Sequence, residues 1–336
     1  DYEIIYCRKE IINIFILLKT IIKKNFFFKK IDYFNQYIKE INPKLIITFN
    51  DNNELFFKVN KKKRYSIAVQ NGSRSYHNDI LNNFKFIKTK YKINKYFVFN
   101  EYYKKEFSKF IDANFITLGS SFNNNFKKKF FKYKNNALYM STFSHSTYQK
   151  FKKDKEKFND FYQKEISFLK EINRELIKKN IKLSILGKFK NYSKKQIEKK
   201  FYKVSGIQFI ENYEGRKTFD IASKYEIVIG YSASTLTQEM LAREKKVIVL
   251  NRDFNYYPFT TKKFGFFDGL PDEGDFWLNS GNKLKFMNLF AKLKKLSKLD
   301  WKKILIKHKK FICHYDYSNK KLKNQIQYVL TNFKLK

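Results

Sequence analysis

GYSASTLTQEMLAREKKVIVL, Gly230 to Leu250, decides the fold. It follows EIVI and closes on KVIVL, two short continuous apolar runs of the kind that form buried parallel strands. Between them TLTQEMLAREKK has helical composition, and Ser232, Ser234 and Thr235 stand where the helix N-terminus falls. A strand, a hydroxyl-rich turn, a helix and a second strand make a βαβ unit. The first turn of such a helix carries N–H groups without helical partners and the positive end of the dipole, an anion site suited to phosphate. Glu239 follows Thr235 by one turn on roughly the same face, placed to accept the hydroxyls of a ribose. An ordinary helix cap with a solvated glutamate fits the same residues.

Outward from this unit, strand-like runs alternate with helical stretches in two successive sets. YEIIYC, LIITF, YSIAV, KYFVF and NFITL precede a Lys/Phe/Asn-rich connection at Asn124 to Asn136, and ALYM, LSIL, IQFIEN, EIVI and KVIVL follow it. Lys9 to about Glu40 and Asp160 to Lys179 have helical spacing, and lysine-rich helices run from about Lys283 to the end. Strands separated by helices predict an α/β chain of two doubly wound parallel sheets. The expected domains are 1–135, 136–302 and a helical tail 303–336. The first is expected to lack its opening strand, since the chain starts at Asp1.

In open α/β sheets ligands bind beyond the carboxyl ends of the strands, and the polar turns lie at those ends. In the second half these are Ser141 and Thr142 after ALYM, and Gly187 and Lys188 after LSIL, where glycine permits close backbone approach and lysine neutralises a phosphate. In the first half they are Asp51 after LIITF, Asn71, Gly72 and Arg74 in QNGSR, His77 just beyond, and Gly119 and Ser120 after NFITL. Asp51 or His77 has the chemistry of a general base toward an acceptor hydroxyl. Arg74 suits a carboxylate or phosphate.

The composition sets limits. With 336 residues and 43% apolar content the chain can build two cores. The formal charge of +40 suits nucleic acid or an anionic membrane, but Lys, Asn, Ile, Phe and Tyr rise together, as in an AT-biased genome, and lysine is spread along the whole chain. Two distant cysteines make neither a disulfide framework nor a zinc site. Ile11 to Ile22 is apolar but too short to span a bilayer. There is no G-x-G-x-x-G, Walker A, G-x-S-x-G or H-E-x-x-H motif.

The ordered set LIITFNDNN, IAVQNGSR, ITLGSSFNNN, ALYMSTF, YSASTLTQEMLAREKKVIVL and FWLNSG…LDWKK resembles the bacterial surface carbohydrate biosynthesis proteins, from about Ile41 to Trp301. These are GT-B-type glycosyltransferase-like proteins, distantly similar to CDP-glycerol glycerophosphotransferases. The resemblance implies two Rossmann-like domains facing across a cleft, the C-terminal one holding a nucleotide-activated donor. It implies transfer to a surface polysaccharide or lipopolysaccharide precursor without a metal or other cofactor. Ser141, Thr142, Gly187, Lys188, Ser232, Ser234, Thr235 and Glu239 then take the donor, and Asn71, Gly72, Arg74, Gly119 and Ser120 face the acceptor. The implied partners are a nucleotide sugar, a glycan or lipid-linked glycan, and an anionic membrane, with no nucleic acid; the implied place is the cytoplasm, at the inner face of the plasma membrane. Related sequences often carry A-R-G-K after the helix, where this chain has Ala242-Arg243-Glu244-Lys245. The alternatives are a CDP-polyol phosphate transferase of the same fold, a basic nucleic-acid-binding protein and a non-catalytic glycan-binding module.

Overall fold

The computed structural model describes residues 2–5, 11–24, 27–74, 88–129, 134–154, 158, 162–212, 218–231, 234–251 and 270–333. Contacts divide the chain into two units. The first holds Asp1–Asn71, Asn78–Asn125 and Asp316–Lys336; the second holds Gly72–His77 and Phe126–Tyr315.

In the first unit β1 (Leu45–Thr48), β2 (Tyr65–Val69), β3 (Tyr91–Val98) and β4 (Ile111–Thr117) form a parallel sheet in the order of the chain, β1-β2-β3-β4. Alternation along β1 splits its side chains between two cores. Leu45 and Ile47 pack with Ile67, Val69, Phe97 and Leu118, a cluster completed by Leu322 of the helix Lys320–Asn332. Ile46 packs with Phe34, Ile38 and Val59, the first two from the helix Lys30–Ile41.

In the second unit β5 (Asn136–Met140), β6 (Lys182–Leu186), β7 (Gln208–Ile210), β8 (Ile227–Gly230), β9 (Lys246–Leu250) and β10 (Trp277–Leu278) form a parallel sheet in the order β10-β9-β8-β5-β6-β7. The chain winds outward from β5 to β7, returns to lay β8 on the other side of β5, and winds outward again to β10. This is the Rossmann strand order, with its reversal between β5 and β8. Continuous apolar runs make these strands because both faces are covered: Ile227, Val228 and Ile229 are wholly buried. The helix Lys164–Lys178 buries Ile166, Leu169, Ile172 and Leu176, one stripe at helical spacing.

Three sequence expectations change. Tyr2–Ile5 forms no strand, and Cys7 lies outside the described residues. The stretch Lys9 to Glu40 holds two helices, Ile14–Lys24 and Lys30–Ile41. The contact division also departs from boundaries at 135 and 302. Phe126 and Lys127 join the second unit because their carbonyls accept Arg243 Nη2 and Nη1, each at 3.0 Å. The last helix joins the first unit through Leu322.

Candidate functional site at the strand-order reversal

The reversal puts the carboxyl ends of β5 and β8 side by side, which is where an open α/β sheet leaves a crevice. β8 ends in Gly230. A Cβ there would stand 2.3 Å from both Met140 Cε and Thr237 Oγ1, so only glycine lets the strand pass this close to the following helix. That helix, Thr235–Ala242, has Ser234 as its N-cap, yet the Ser234 hydroxyl makes no cap hydrogen bond. Its first-turn amides therefore lack the partner that a cap serine normally supplies. Thr237 Oγ1, fully buried against Gly230, has no hydrogen-bond partner among the described residues.

The segment Gly72–Arg74 comes to the same helix start. Ser73 N–H donates to Thr235 Oγ1 at 3.2 Å, and a Cβ on Gly72 would lie 3.2 Å from that oxygen and 3.4 Å from Arg74 Nη1. Residues expected on the acceptor side thus meet one expected on the donor side. Glu239 is buried one turn further along and acts electrostatically on Arg243. Burial lowers the Arg243 guanidinium below its ordinary value, opposed by Tyr315, Glu239 and Asp220. Glu244 has φ +61°, a left-handed backbone, and pairs with Lys128 at 2.8 Å.

The β5 and β6 ends rest on two fully buried acids that sequence reasoning missed. Thr142 Oγ1 donates to Glu165 Oε1 at 2.9 Å, and the same oxygen accepts Tyr139 at 2.7 Å and Tyr202 at 2.9 Å. Ser141 Oγ donates to Glu198 Oε1. Glu198 also accepts Lys188 N–H at 2.9 Å and Phe189 N–H at 3.2 Å, fixing the turn after β6. Burial holds the Glu198 carboxyl above its ordinary range, against the pull of Ser141 and the two amides. Burial, and Glu165 after it, raise the Tyr202 hydroxyl. Ser141 and Thr142 thus donate to internal carboxylates. At Gly187, a Cβ would stand 2.6 Å from Phe209 Cζ, so the glycine makes room for an aromatic ring.

The first unit uses its strand-end residues differently. Asp51 is fully enclosed, with Oδ1 accepting Asn71 N–H at 3.1 Å and Oδ2 accepting the Tyr96 hydroxyl at 2.8 Å. Gly119 has φ +85°, which demands glycine, and Ser120 caps the next helix by accepting Asn123 N–H at 3.2 Å. His77 and Ser232 lie outside the described residues. Among those residues no group of three or more His, Cys, Asp or Glu is arranged to hold a metal.

The positions of Glu165 and Glu198 carried a signal. Glu165 lies at the spacing of Leu169, Ile172 and Leu176, and Glu198 lies one turn before Tyr202; an acid inside an apolar stripe needs an internal partner.

A family model described as "putative O-antigen biosynthesis protein" matches residues 67–329. No curated protein matches the sequence. Among solved structures, a Listeria monocytogenes protein described as "putative UDP-N-acetylglucosamine 2-epimerase" matches with a TM-score of 0.53 and 13% identity, over 89% of this chain and 78% of that one. TarM matches at 0.48 and 13%, over 91% of this chain and 59% of its own length. A glycosyltransferase from Rickettsia africae matches at 0.49 and 13%, over 98% and 85%. The chain therefore spans about three fifths of the TarM chain. Its two Rossmann-like parallel-sheet units are those of the GT-B fold.

Proposed function

The chain belongs to this O-antigen biosynthesis family, and from that premise we propose that it is a glycosyltransferase. It moves a sugar from a nucleotide-activated donor to a precursor of a surface polysaccharide or lipopolysaccharide. One observation carries the assignment: the helix Thr235–Ala242 begins at the strand-order reversal with a cap serine that caps nothing. The donor diphosphate lies against its first-turn amides, with Ser234 and Thr235 donating hydroxyl hydrogen bonds. Charge developing on the leaving phosphate is stabilised there by the amides and the dipole, without a metal. Glu239 takes the ribose. Lys188, on the turn that Glu198 fixes, adds positive charge.

Ser141, Thr142 and Asp51 are positioning residues in this account, because each already serves an internal partner. Asp51 holds the Asn71 backbone ahead of Gly72 and Arg74, so the base role passes to His77. The acceptor approaches the Gly72–Arg74 segment.

The test is donor turnover. Release of nucleotide from CMP-, CDP-, UDP- and GDP-activated sugars is measured with chelator present, for the parent and for Ser234→Ala/Thr235→Ala. One donor is expected to turn over, and the variant to lose about a hundredfold, the scale of removing a transition-state donor. CDP-glycerol as the sole active donor would select the polyol phosphate transferase. The fold shared with the Listeria protein makes donor epimerisation the second reading, recognised by an epimerised sugar still joined to its nucleotide, with no transfer. No turnover together with salt-sensitive binding of DNA or RNA would overturn the assignment.

A further inference from the structure

We propose that the first unit carries a further ligand site, for a soluble sugar or polyol phosphate, in a basic recess at the amino end of its sheet. The recess belongs to the first unit alone, and the inference does not depend on the transfer reaction. It is a cavity of about 310 Å³ between the helices Ile14–Lys24 and Lys30–Ile41 and the segment ahead of β2. Thr20 of the first helix and Gln36 of the second are 1% and 9% exposed and make its floor. Lys19 pairs with Glu40 at 2.8 Å and Asn13 N–H donates to Tyr33 at 3.0 Å, so the two helices that form the walls are tied together. Arg64 directly precedes β2, whereas the turn at Asn71 follows it. The five residues of β2 put roughly 16 Å between this recess and that turn.

The lining selects the ligand. Lys23, Lys24, Lys39 and Arg64 face a single acid, Asp32. Asp32 is already engaged, with Oδ1 paired to Lys24 at 3.4 Å and Oδ2 accepting Lys29 N–H at 2.9 Å. Among the described residues Lys23 and Lys39 enter no ion pair. Arg64 gives its two terminal nitrogens to the Lys62 carbonyl and Asn42 Oδ1, each at 3.1 Å, while its buried Nε has no partner among the described residues. A buried charged donor calls for an acceptor, and beside two further cations a phosphate oxygen is the acceptor that fits. No apolar or aromatic side chain lines the recess, so it offers neither a stacking surface for a base nor a slot for an acyl chain. It offers amides instead. Asn35 accepts Asn60 N–H through Oδ1 at 2.8 Å, and Gln36 donates to Glu40 through Nε2 at 2.6 Å. The other ends of these amides, Asn35 Nδ2 and Gln36 Oε1, remain for ligand hydroxyls. Cations for one phosphate and amides for neighbouring hydroxyls are the chemistry of a small phosphorylated carbohydrate.

The experiment is calorimetric titration of the full chain with glucose 1-phosphate, glucose 6-phosphate and glycerol 3-phosphate, and with glucose and inorganic phosphate as references. At least one of the three esters is expected to bind with a Kd of about 1 mM or tighter, and more tightly than inorganic phosphate. Lys23→Gln/Lys39→Gln changes two exposed side chains and is expected to weaken that binding by about tenfold or more, at an unchanged urea midpoint. Lys309→Gln/Lys310→Gln removes the same charge from the second unit and is expected to change it by less than about twofold. Ser234→Ala/Thr235→Ala is expected to leave it intact, which separates this site from the proposed donor site. Binding of none of the three esters, or equal losses from the two lysine pairs, would overturn the proposal. So would an ester whose binding the Ser234→Ala/Thr235→Ala variant abolishes.

Discussion

The two sheets use the same vocabulary and differ in what they leave unsatisfied. Each is parallel, and each has a fully buried carboxylate organising a strand-end turn: Asp51 behind Asn71 in the first, Glu198 behind Lys188 and Phe189 in the second. In the first, strand order follows chain order, and Ser120 closes its cap on Asn123. In the second the order reverses at β5 and β8, and Ser234 occupies a cap position without making the bond. A hydroxyl at a helix start is therefore not the mark of a ligand site. The mark is a helix start whose cap is open where the topology also opens a crevice.

That contrast can be broken at several points. Glu165→Ala has the largest expected effect, about 3–5 kcal/mol, because Tyr139, Thr142 and Tyr202 would all lose their acceptor. Urea unfolding should show the loss in the transition of the second unit, and a loss below about 1 kcal/mol would mean the network does not anchor the β5 end. Gly230→Ala comes next, at about 1–3 kcal/mol from overpacking against Met140 and Thr237. Combined with Thr237→Ala, its cost should shrink; strict additivity would place the strain elsewhere.

The two serines provide a smaller and sharper comparison. Ser120→Ala should cost about 1 kcal/mol as the loss of a working cap. Ser234→Ala should stay within about 0.5 kcal/mol, since no cap bond is lost. Equal costs for the two would remove the asymmetry on which the site assignment rests.

The smallest effect is a pH dependence. The folded chain binds the Glu198 proton more tightly than the unfolded chain does. Its favourable contribution is complete below the ordinary value of 4.5 and fades as pH rises through the raised folded value. Glu198→Gln keeps an acceptor for the Lys188 and Phe189 amides without the titration. Thermal melts from pH 4 upward, about the ordinary carboxyl range, should show the parent losing stability relative to this variant. A parent that gains instead would reverse the sign of the Glu198 shift.

Much of the fold was legible because buried parallel strands are written as uninterrupted apolar runs, as in KVIVL and ALYM. β10 was not, being two residues long with no room for a pattern. The hydroxyls after β5 were visible but their partners were not. Glu165 and Glu198 sit on lysine-rich helices, 23 residues from Thr142 and 57 residues from Ser141 respectively, and only the folded sheet brings them beneath the strand ends. Asp51 stood out as a polar residue after a strand, yet its enclosure depends on Tyr96, two strands away. Local pattern gives elements and turns; the distinction between a residue that meets a ligand and one that braces the turn behind it is made by non-local contacts.

The most direct measurement is calorimetric titration of the full chain with CMP, CDP, UDP and GDP, repeated on Ser234→Ala/Thr235→Ala after matching urea midpoints. One nucleotide should bind the parent, and the variant should lose at least about tenfold in affinity, the scale of hydrogen bonds to a charged group. A nucleotide that binds both proteins equally would contradict the claim that the open cap at Ser234 and Thr235 is the phosphate site.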